Sequence, residues 1–142
     1  MTEFTIRPAN WDADKAALMH VREEVFVVGQ NVPSSLESDE FDPVSYYVLA
    51  ESAEGTPVGC ARLQPNGKVT RIAVLSHWRR RGIARQMLGR IIEIADDQNL
   101  TSLYLHAQLT AICLYEEFGF APCGEQFEEA GIQHIKMTRE DG

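Results

Sequence analysis

Arg79-Arg80-Arg81-Gly82-Ile83-Ala84 holds the densest potential chemistry in the chain. It follows a strand-like run, Val69-Thr70-Arg71-Ile72-Ala73-Val74, with only Leu75 to Trp78 between, and it opens a helical pattern. A strand that turns through a glycine into a helix aims several backbone N–H groups and the positive end of the helix dipole at one place. That arrangement suits a phosphate or pyrophosphate. Gly82 lets a ligand approach the backbone closely, and the small Ala84 leaves the helix start uncrowded. Arg79 to Arg81 add charge for capturing an anion. Neither GxxxxGKS/T nor GxGxxG is present, so P-loop and Rossmann sites lack their signatures. A solvated basic face, or a nucleic-acid patch, is the competing reading of the arginines alone.

Other side chains offer proton or acyl chemistry. Tyr115 carries a phenol that stays protonated at neutral pH and can give its proton to a leaving group. Its competing role is as a core aromatic on the face shared by Ala111, Leu114 and Phe118. Cys113 is a conceivable acyl carrier, against which stands the ordinary role of a small buried hydrophobe. His20, His77, His106 and His134 show no HExxH-type spacing, so no metal site is expected. Trp78, just before the arginines, is open to a core position, a rim position or packing over the turn.

The elements that must position these residues can be read from periodicity. Glu3 to Arg7 alternates as a strand, and Asn10 or Asp12 caps a helix to about Phe26, with Leu18, Val21, Val25 and Val28 on one face. Gly29 to Pro43 reads as a long loop of the kind that often carries function. Ser45 to Ala50, Val58 to Leu63 and Val69 to Leu75 form three antiparallel strands joined by Glu54-Gly55-Thr56-Pro57 and Pro65-Asn66-Gly67. Ala84, Met87, Leu88, Ile91, Ile92 and Ala95 mark a long helix. Leu103 to Ala107 is a further strand. Ala111 to Phe118 is a short helix ended by Gly119, and Cys123 to Phe127 and Gln133 to Met137 make a closing hairpin around Ala130-Gly131. The order β α β β β α β α β β gives a mixed α+β sheet, not a doubly wound one.

The chain has 142 residues, 44% of them hydrophobic and 24% charged, which fits one compact domain spanning 1–142. No apolar run approaches the roughly 18 residues needed to cross a bilayer. Glu3, Arg7, Asp12 and Asp14 leave no room for an apolar signal segment. Three cysteines without CxxC spacing point to free thiols in a reducing cytoplasm. A net charge of −8 argues against nucleic acid as the main partner. The charge is unevenly placed: Glu23 to Ala61 holds eight acids and no Lys or Arg, whereas Lys68 to Ile92 holds seven of the thirteen cations and no acid. An acidic protein that gathers its cations in one segment is expected to bind an anion there.

Arg79-Arg80-Arg81-Gly82-Ile83-Ala84 resembles the Gln/Arg-x-x-Gly-x-Gly/Ala motif of the Gcn5-related N-acetyltransferase (GNAT) superfamily. Ile72-Ala73-Val74 resembles its bulged, splayed strand. Gln108 to Phe120, through Ala111, Tyr115 and Gly119, resembles its later N-x-x-A-x-x-x-Y-x-x-x-G-F motif. With the element order, the resemblance covers nearly the whole chain. Glu24 to Asp42 and Glu129 to His134 (EAGIQH) further resemble a bacterial branch whose acceptors are poorly defined.

The resemblance implies a mostly antiparallel, twisted sheet flanked by helices, with a V-shaped split between its two central strands. It implies acetyl-CoA as cosubstrate and no metal. The backbone of the Arg79, Arg80, Arg81, Gly82, Ile83, Ala84, Arg85 turn would hold the CoA pyrophosphate, and Gln108 would contact CoA where the family usually has Asn. The Ile72, Ala73, Val74 edge would pair with the pantetheine arm, leaving the thioester between that strand and Leu103–Ala107. There, proximity would accelerate attack by an amine, and a main-chain N–H of the bulged strand would polarise the carbonyl. Tyr115 takes the general-acid position. The usual central-strand Glu is replaced by Thr70, so the base is left open among water, His106, His134, Glu37 and Glu40. The acid-rich loop would border the acceptor mouth, which favours a small cationic amine. A non-catalytic acyl-CoA sensor of the same fold is the alternative; a homodimer is compatible with either.

Overall fold

A computed structural model describes residues 3–28 and 39–140. Four strands in chain order, β1 (Phe4–Ala9), β2 (Tyr46–Ser52), β3 (Pro57–Leu63) and β4 (Val69–Val74), pair antiparallel as consecutive neighbours. A second sheet has the order β5 (Ser102–Gln108), β7 (Ile132–Glu140), β6 (Ala121–Glu129), also antiparallel. Helix α1 (Trp11–Arg22) follows β1, α2 (Ile83–Asp97) joins β4 to β5, and α3 (Ile112–Glu117) joins β5 to β6; most of the long loop expected over Gly29 to Pro43 lies outside the described residues. The element order and the α+β class are those expected; strand ends lie one or two residues from the expected positions, and the β6–β7 strands are longer.

The backbones of the two sheets pair at one place among the described residues. Tyr104 N–H donates to Gly67 O at 3.0 Å, and Lys68 and Tyr104 form an isolated parallel bridge. Beyond it, β4 and β5 share no further ladder among the described residues, which is the expected V-shaped split. Gly67 sits at the vertex with φ +91°, and a Cβ there would overlap the Ser102 carbonyl oxygen, so a bare backbone is what lets the sheets touch.

Each face of the first sheet is covered. Val48, Ala61, Leu63 and Val69 pack with Met87, Leu88 and Ile91 of α2 and with Leu103, Leu105 and Met137 of the second sheet. On the opposite face Tyr47, Leu49, Cys60 and Ala73 pack with Leu18, Val21 and Val25. Asn10 caps α1, its side-chain oxygen accepting from Asp12 N at 2.8 Å and Ala13 N at 3.2 Å. The helix expected to run to Phe26 is regular only to Arg22 and continues as wider π-type turns over Glu23–Val28. The slower rotation of those turns carries Val28, expected on the buried face, out to 67% exposure.

A buried ionic network ties α1 to the sheet. Asp42, 2% exposed, accepts from Arg22 Nη1 at 2.8 Å, Arg62 Nη1 at 2.8 Å and the Tyr47 hydroxyl at 2.7 Å. Arg62 also donates to Asp39 at 2.7 and 3.0 Å, to Gln64 at 3.1 Å and, through Nε, to Thr70 Oγ1 at 2.8 Å. Burial pushes the Asp42 carboxyl up, but the hydrogen bonds from Arg22 and Tyr47 outweigh it and hold the group well below the usual carboxylate range. For Asp39, too, burial acts upward and the Arg62 contact overrides it. Both acids are therefore lowered on folding. Their contribution is complete above the unfolded carboxylate pKa of about 4 and is lost as pH falls below it, through the depressed folded-state values. Asp42→Ala removes from a buried site the carboxylate that Arg22, Arg62 and Tyr47 share and should cost about 3–5 kcal/mol, read as a lower urea midpoint at unchanged slope.

Candidate functional site

Of the residues expected to bind an anion, all but Arg81 line a cavity of about 350 Å³ bounded by Val74, Trp78, Arg79, Arg80, Gly82, Ile83, Ala84, Arg85 and Leu114. β4 leads into it through a 3₁₀ turn, Ser76–Trp78, and α2 leaves it. Gly82 is the N-cap of α2 at φ +80°, with no side-chain cap, so the first N–H groups of the helix carry no capping side chain. A Cβ built at Gly82 meets nothing within 4 Å; the left-handed backbone, not crowding inside the fold, is what calls for glycine here.

The arginines divide by what already engages them. Arg80 has φ +66°, lines the cavity and has no side-chain partner among the described residues. Arg79 Nε donates to Val74 O at 3.1 Å, covering a carbonyl at the end of β4. Arg85 lines the cavity, and its side chain makes a paired contact with Glu117 at 2.9 and 3.0 Å. Arg81 donates to His77 O at 3.0 Å and lies over the Trp78 ring at 5.0 Å. It lines neither cavity, so its guanidinium is held by the turn.

Next to this cavity, and sharing Val74, Arg79, Ala84 and Leu114 with it, lies a larger cleft of about 750 Å³ in the split between β4 and β5. Ile72, Ala73, Val74, Gln108 and Tyr115 all line it, so the two sequence motifs converge on one site. The bulge expected in β4 is present: Cys60 pairs with Ala73 and Arg62 with Thr70, which sets Arg71 and Ile72 opposite Ala61, with Arg71 at φ +54°. The bulge bends the strand away from β5.

Tyr115 is 9% exposed and stands edge-on to Phe120 at 6.1 Å. Its hydroxyl has no hydrogen-bond partner among the described residues, and the residue lines the cleft. Burial pushes its pKa up to about 12, so the phenol keeps its proton across the physiological range. Cys113 is exposed and is not among the residues lining the cleft, which removes the geometry an acyl carrier needs.

Among the base candidates, His106 and His134 line the cleft together with Glu129. Thr70 lines it too, but its hydroxyl is engaged by Arg62. Glu40 is exposed, and Glu37 lies outside the described residues. Asp39 and Asp42, two of the acids behind the expectation of a cationic acceptor, are neutralised by Arg22, Arg62 and Arg71. Glu129 was not singled out in the sequence; the EAGIQH resemblance was the signal that could have found it. Among the described residues no three His, Cys, Asp or Glu side chains are grouped to hold a metal, and no helix is long and apolar enough to cross a membrane.

Comparison with known proteins agrees with this geometry. The acetyltransferase (GNAT) domain family matches residues 12–140. The uncharacterised N-acetyltransferase YjcF of Bacillus subtilis (strain 168) is 34% identical over 125 residues, covering 85% of this chain and 89% of that one. The crystal structure of an acyl-CoA N-acyltransferase from Pseudomonas aeruginosa superposes with a TM-score of 0.83 at 28% identity, covering 98% of this chain and 99% of that one. A GNAT family acetyltransferase from Elizabethkingia anophelis, solved with acetyl-CoA bound, shares the fold at a TM-score of 0.64 and 20% identity, covering 96% and 97%. With an uncapped helix start, an arginine turn and a splayed strand pair in one cleft, and with this family match over most of its length, the chain belongs to the GNAT acetyltransferases and is an acyl-CoA-dependent N-acyltransferase.

Proposed function

We propose that this protein, as a single cytoplasmic domain, moves the acetyl group of acetyl-CoA directly to a primary amine of a small, cationic acceptor, with Tyr115 as general acid. The observation that carries the reading is buried Tyr115, its hydroxyl without a partner among the described residues, lining a cleft that adjoins the arginine turn. The residues present suit acetyl-CoA. Arg80 and the uncapped N–H groups after Gly82 meet the pyrophosphate, with Ile83, Ala84 and the backbone of Arg79, Arg81 and Arg85 shaping the turn. The bulged edge Ile72-Ala73-Val74 takes the pantetheine amides as an added strand, and Gln108 contacts it from β5. The fold neighbour with acetyl-CoA bound supports the same choice.

In this reading the cleft holds the thioester carbonyl carbon beside the amine, so that attack is effectively intramolecular. As the C–N bond forms and the C–S bond breaks, Tyr115 delivers its proton to the departing thiolate. Support for a cationic acceptor rests on the net charge of −8 and on exposed Glu40, next in the chain to the Asp39 that pairs with cleft-lining Arg71.

Three substitutions test these assignments. Tyr115→Phe keeps the ring against Phe120 and should lower kcat by at least about tenfold, with acetyl-CoA affinity by calorimetry unchanged; an unchanged kcat removes Tyr115 from the chemistry. Gly82→Val puts a side chain where the anion would sit and strains the backbone by about 1–2 kcal/mol. It should weaken acetyl-CoA binding at least about tenfold while the protein stays folded by circular dichroism. Glu40→Lys should raise KM for polyamine-like acceptors several-fold and spare neutral amines; equal KM values for both would remove the charge preference.

A further inference from the structure

β5 alternates so that Leu103, Leu105 and Ala107 are buried in the core beneath α2, while Tyr104, His106 and Gln108 are only partly covered and face the other side. Thr70, bonded to an Arg62 that reaches the network at α1, lies on that same side of β4. His106 thus stands across the split from the position where the family's usual carboxylate is replaced by Thr70. The β6–β7 hairpin adds Glu129, whose Oε1 is 3.1 Å from His106 Nδ1, and Phe127, edge-on to the imidazole at 5.0 Å.

We infer that His106 is the group that takes the proton from the incoming amine, and that Glu129 is its positioning residue. The inference rests on the acyl-transfer reading of the cleft. A carboxylate only accepts hydrogen bonds, so the 3.1 Å contact requires the proton of neutral His106 to be on Nδ1. That leaves the Nε2 lone pair uncommitted on a side chain that lines the cleft. Thr70 cannot substitute, because a hydroxyl does not accept a proton at neutral pH and this one is bound by Arg62. His134 is differently held: its Nδ1–H donates to Ile132 O at 2.7 Å and its Nε2 faces Glu129 at 3.8 Å. Both of its ring nitrogens thus face protein oxygens, whereas His106 has one nitrogen without a protein partner among the described residues.

The proton count closes. As the amine nitrogen bonds to the acyl carbon, His106 Nε2 removes one of its protons, and Tyr115 supplies one to the thiolate as the C–S bond breaks. The imidazolium then returns its proton to solvent and the phenolate regains one. Glu129 stabilises the transient imidazolium. The other charged or titratable groups around His106 are Lys136, its register partner on β7, Tyr104 beside it on β5, and Lys68 and Arg71 across the split.

The test uses the full chain with acetyl-CoA and a panel of primary amines, reading kcat, KM and their pH dependence, with acetyl-CoA affinity measured separately. His106→Gln should lower kcat/KM about 100-fold with acetyl-CoA affinity unchanged, and the residual rate should rise steadily with pH as solvent takes over deprotonation. Glu129→Gln should lower it about tenfold and displace the acidic limb of the profile, whereas His134→Gln should stay within about threefold. A His106→Gln enzyme with wild-type kcat/KM and profile overturns the inference, as does a loss confined to acetyl-CoA binding. If the wild type binds acetyl-CoA but acetylates no amine, the acyl-transfer reading fails, and isotope-edited NMR of the imidazoles then decides the arrangement. An Nδ1–H tautomer of His106 that is lost in Glu129→Gln supports it, and an Nε2–H tautomer in the wild type overturns it.

Discussion

The site exists because β4 and β5 are parallel neighbours that touch at one end only. A backbone hydrogen bond from Tyr104 N to Gly67 O and the parallel bridge between Lys68 and Tyr104 join the two sheets at this vertex, and Gly67 is there because any side chain would strike the Ser102 carbonyl. From that vertex the bulge at Arg71 and Ile72 turns β4 outward. Two adjacent strand edges are then exposed to the same cleft, and backbone groups that a continuous sheet would pair are left for a ligand. The helix that follows β4 by way of the arginine turn has its uncapped terminus at the adjoining cavity. A long ligand with an anionic head and amide-bearing arm matches that sequence of surfaces, and acyl-CoA has that form.

The acidic half of the chain serves this geometry structurally before it can serve recognition. Asp42 and Asp39 hold Arg22 from α1, Arg62 from β3 and Arg71 from the bulge. Arg62 reaches on to Thr70 on β4. A network of this depth is weak evidence for net stability, since charges buried together lose hydration. Its removal piecemeal is costly, however, and it fixes the bulge from the side opposite α2. Thr70 stands where the family resemblance leads one to expect a carboxylate, and its hydroxyl accepts from Arg62 at 2.8 Å. Proton acceptance then falls to β5, where His106 and Glu129 meet.

Much of this was legible in the sequence because it follows from local rules. The turn from Val74 through Gly82 into α2 combines strand alternation, a glycine and a helical period, and each survived folding almost to the residue. The arginines were less transparent. Side-chain charge alone does not say that Arg85 closes on Glu117 or that Arg81 stacks on Trp78, because both partners are set by packing between elements. The same holds for Asp39 and Asp42, whose acidity suggested a ligand until Arg22 and Arg62, distant in sequence, arrived beside them. Glu129 and His106 come together through the register of β5, β6 and β7, which no short-range pattern encodes. The π-type turns over Glu23–Val28 also escaped the periodicity, since one widened turn rotates every later residue.

The central claim is that acyl-CoA lies along the open edge of β4 with its pyrophosphate at the start of α2. Backbone amide spectra recorded while acetyl-CoA is added to the isotope-labelled protein test it most directly. The account predicts the largest changes at Ile72, Ala73, Val74, Gly82, Ile83 and Ala84, with matching protection of the β4 amides from exchange, and smaller effects from ATP, which offers phosphates but no pantetheine arm. Saturation that leaves those amides unmoved, or no binding at all, would contradict it.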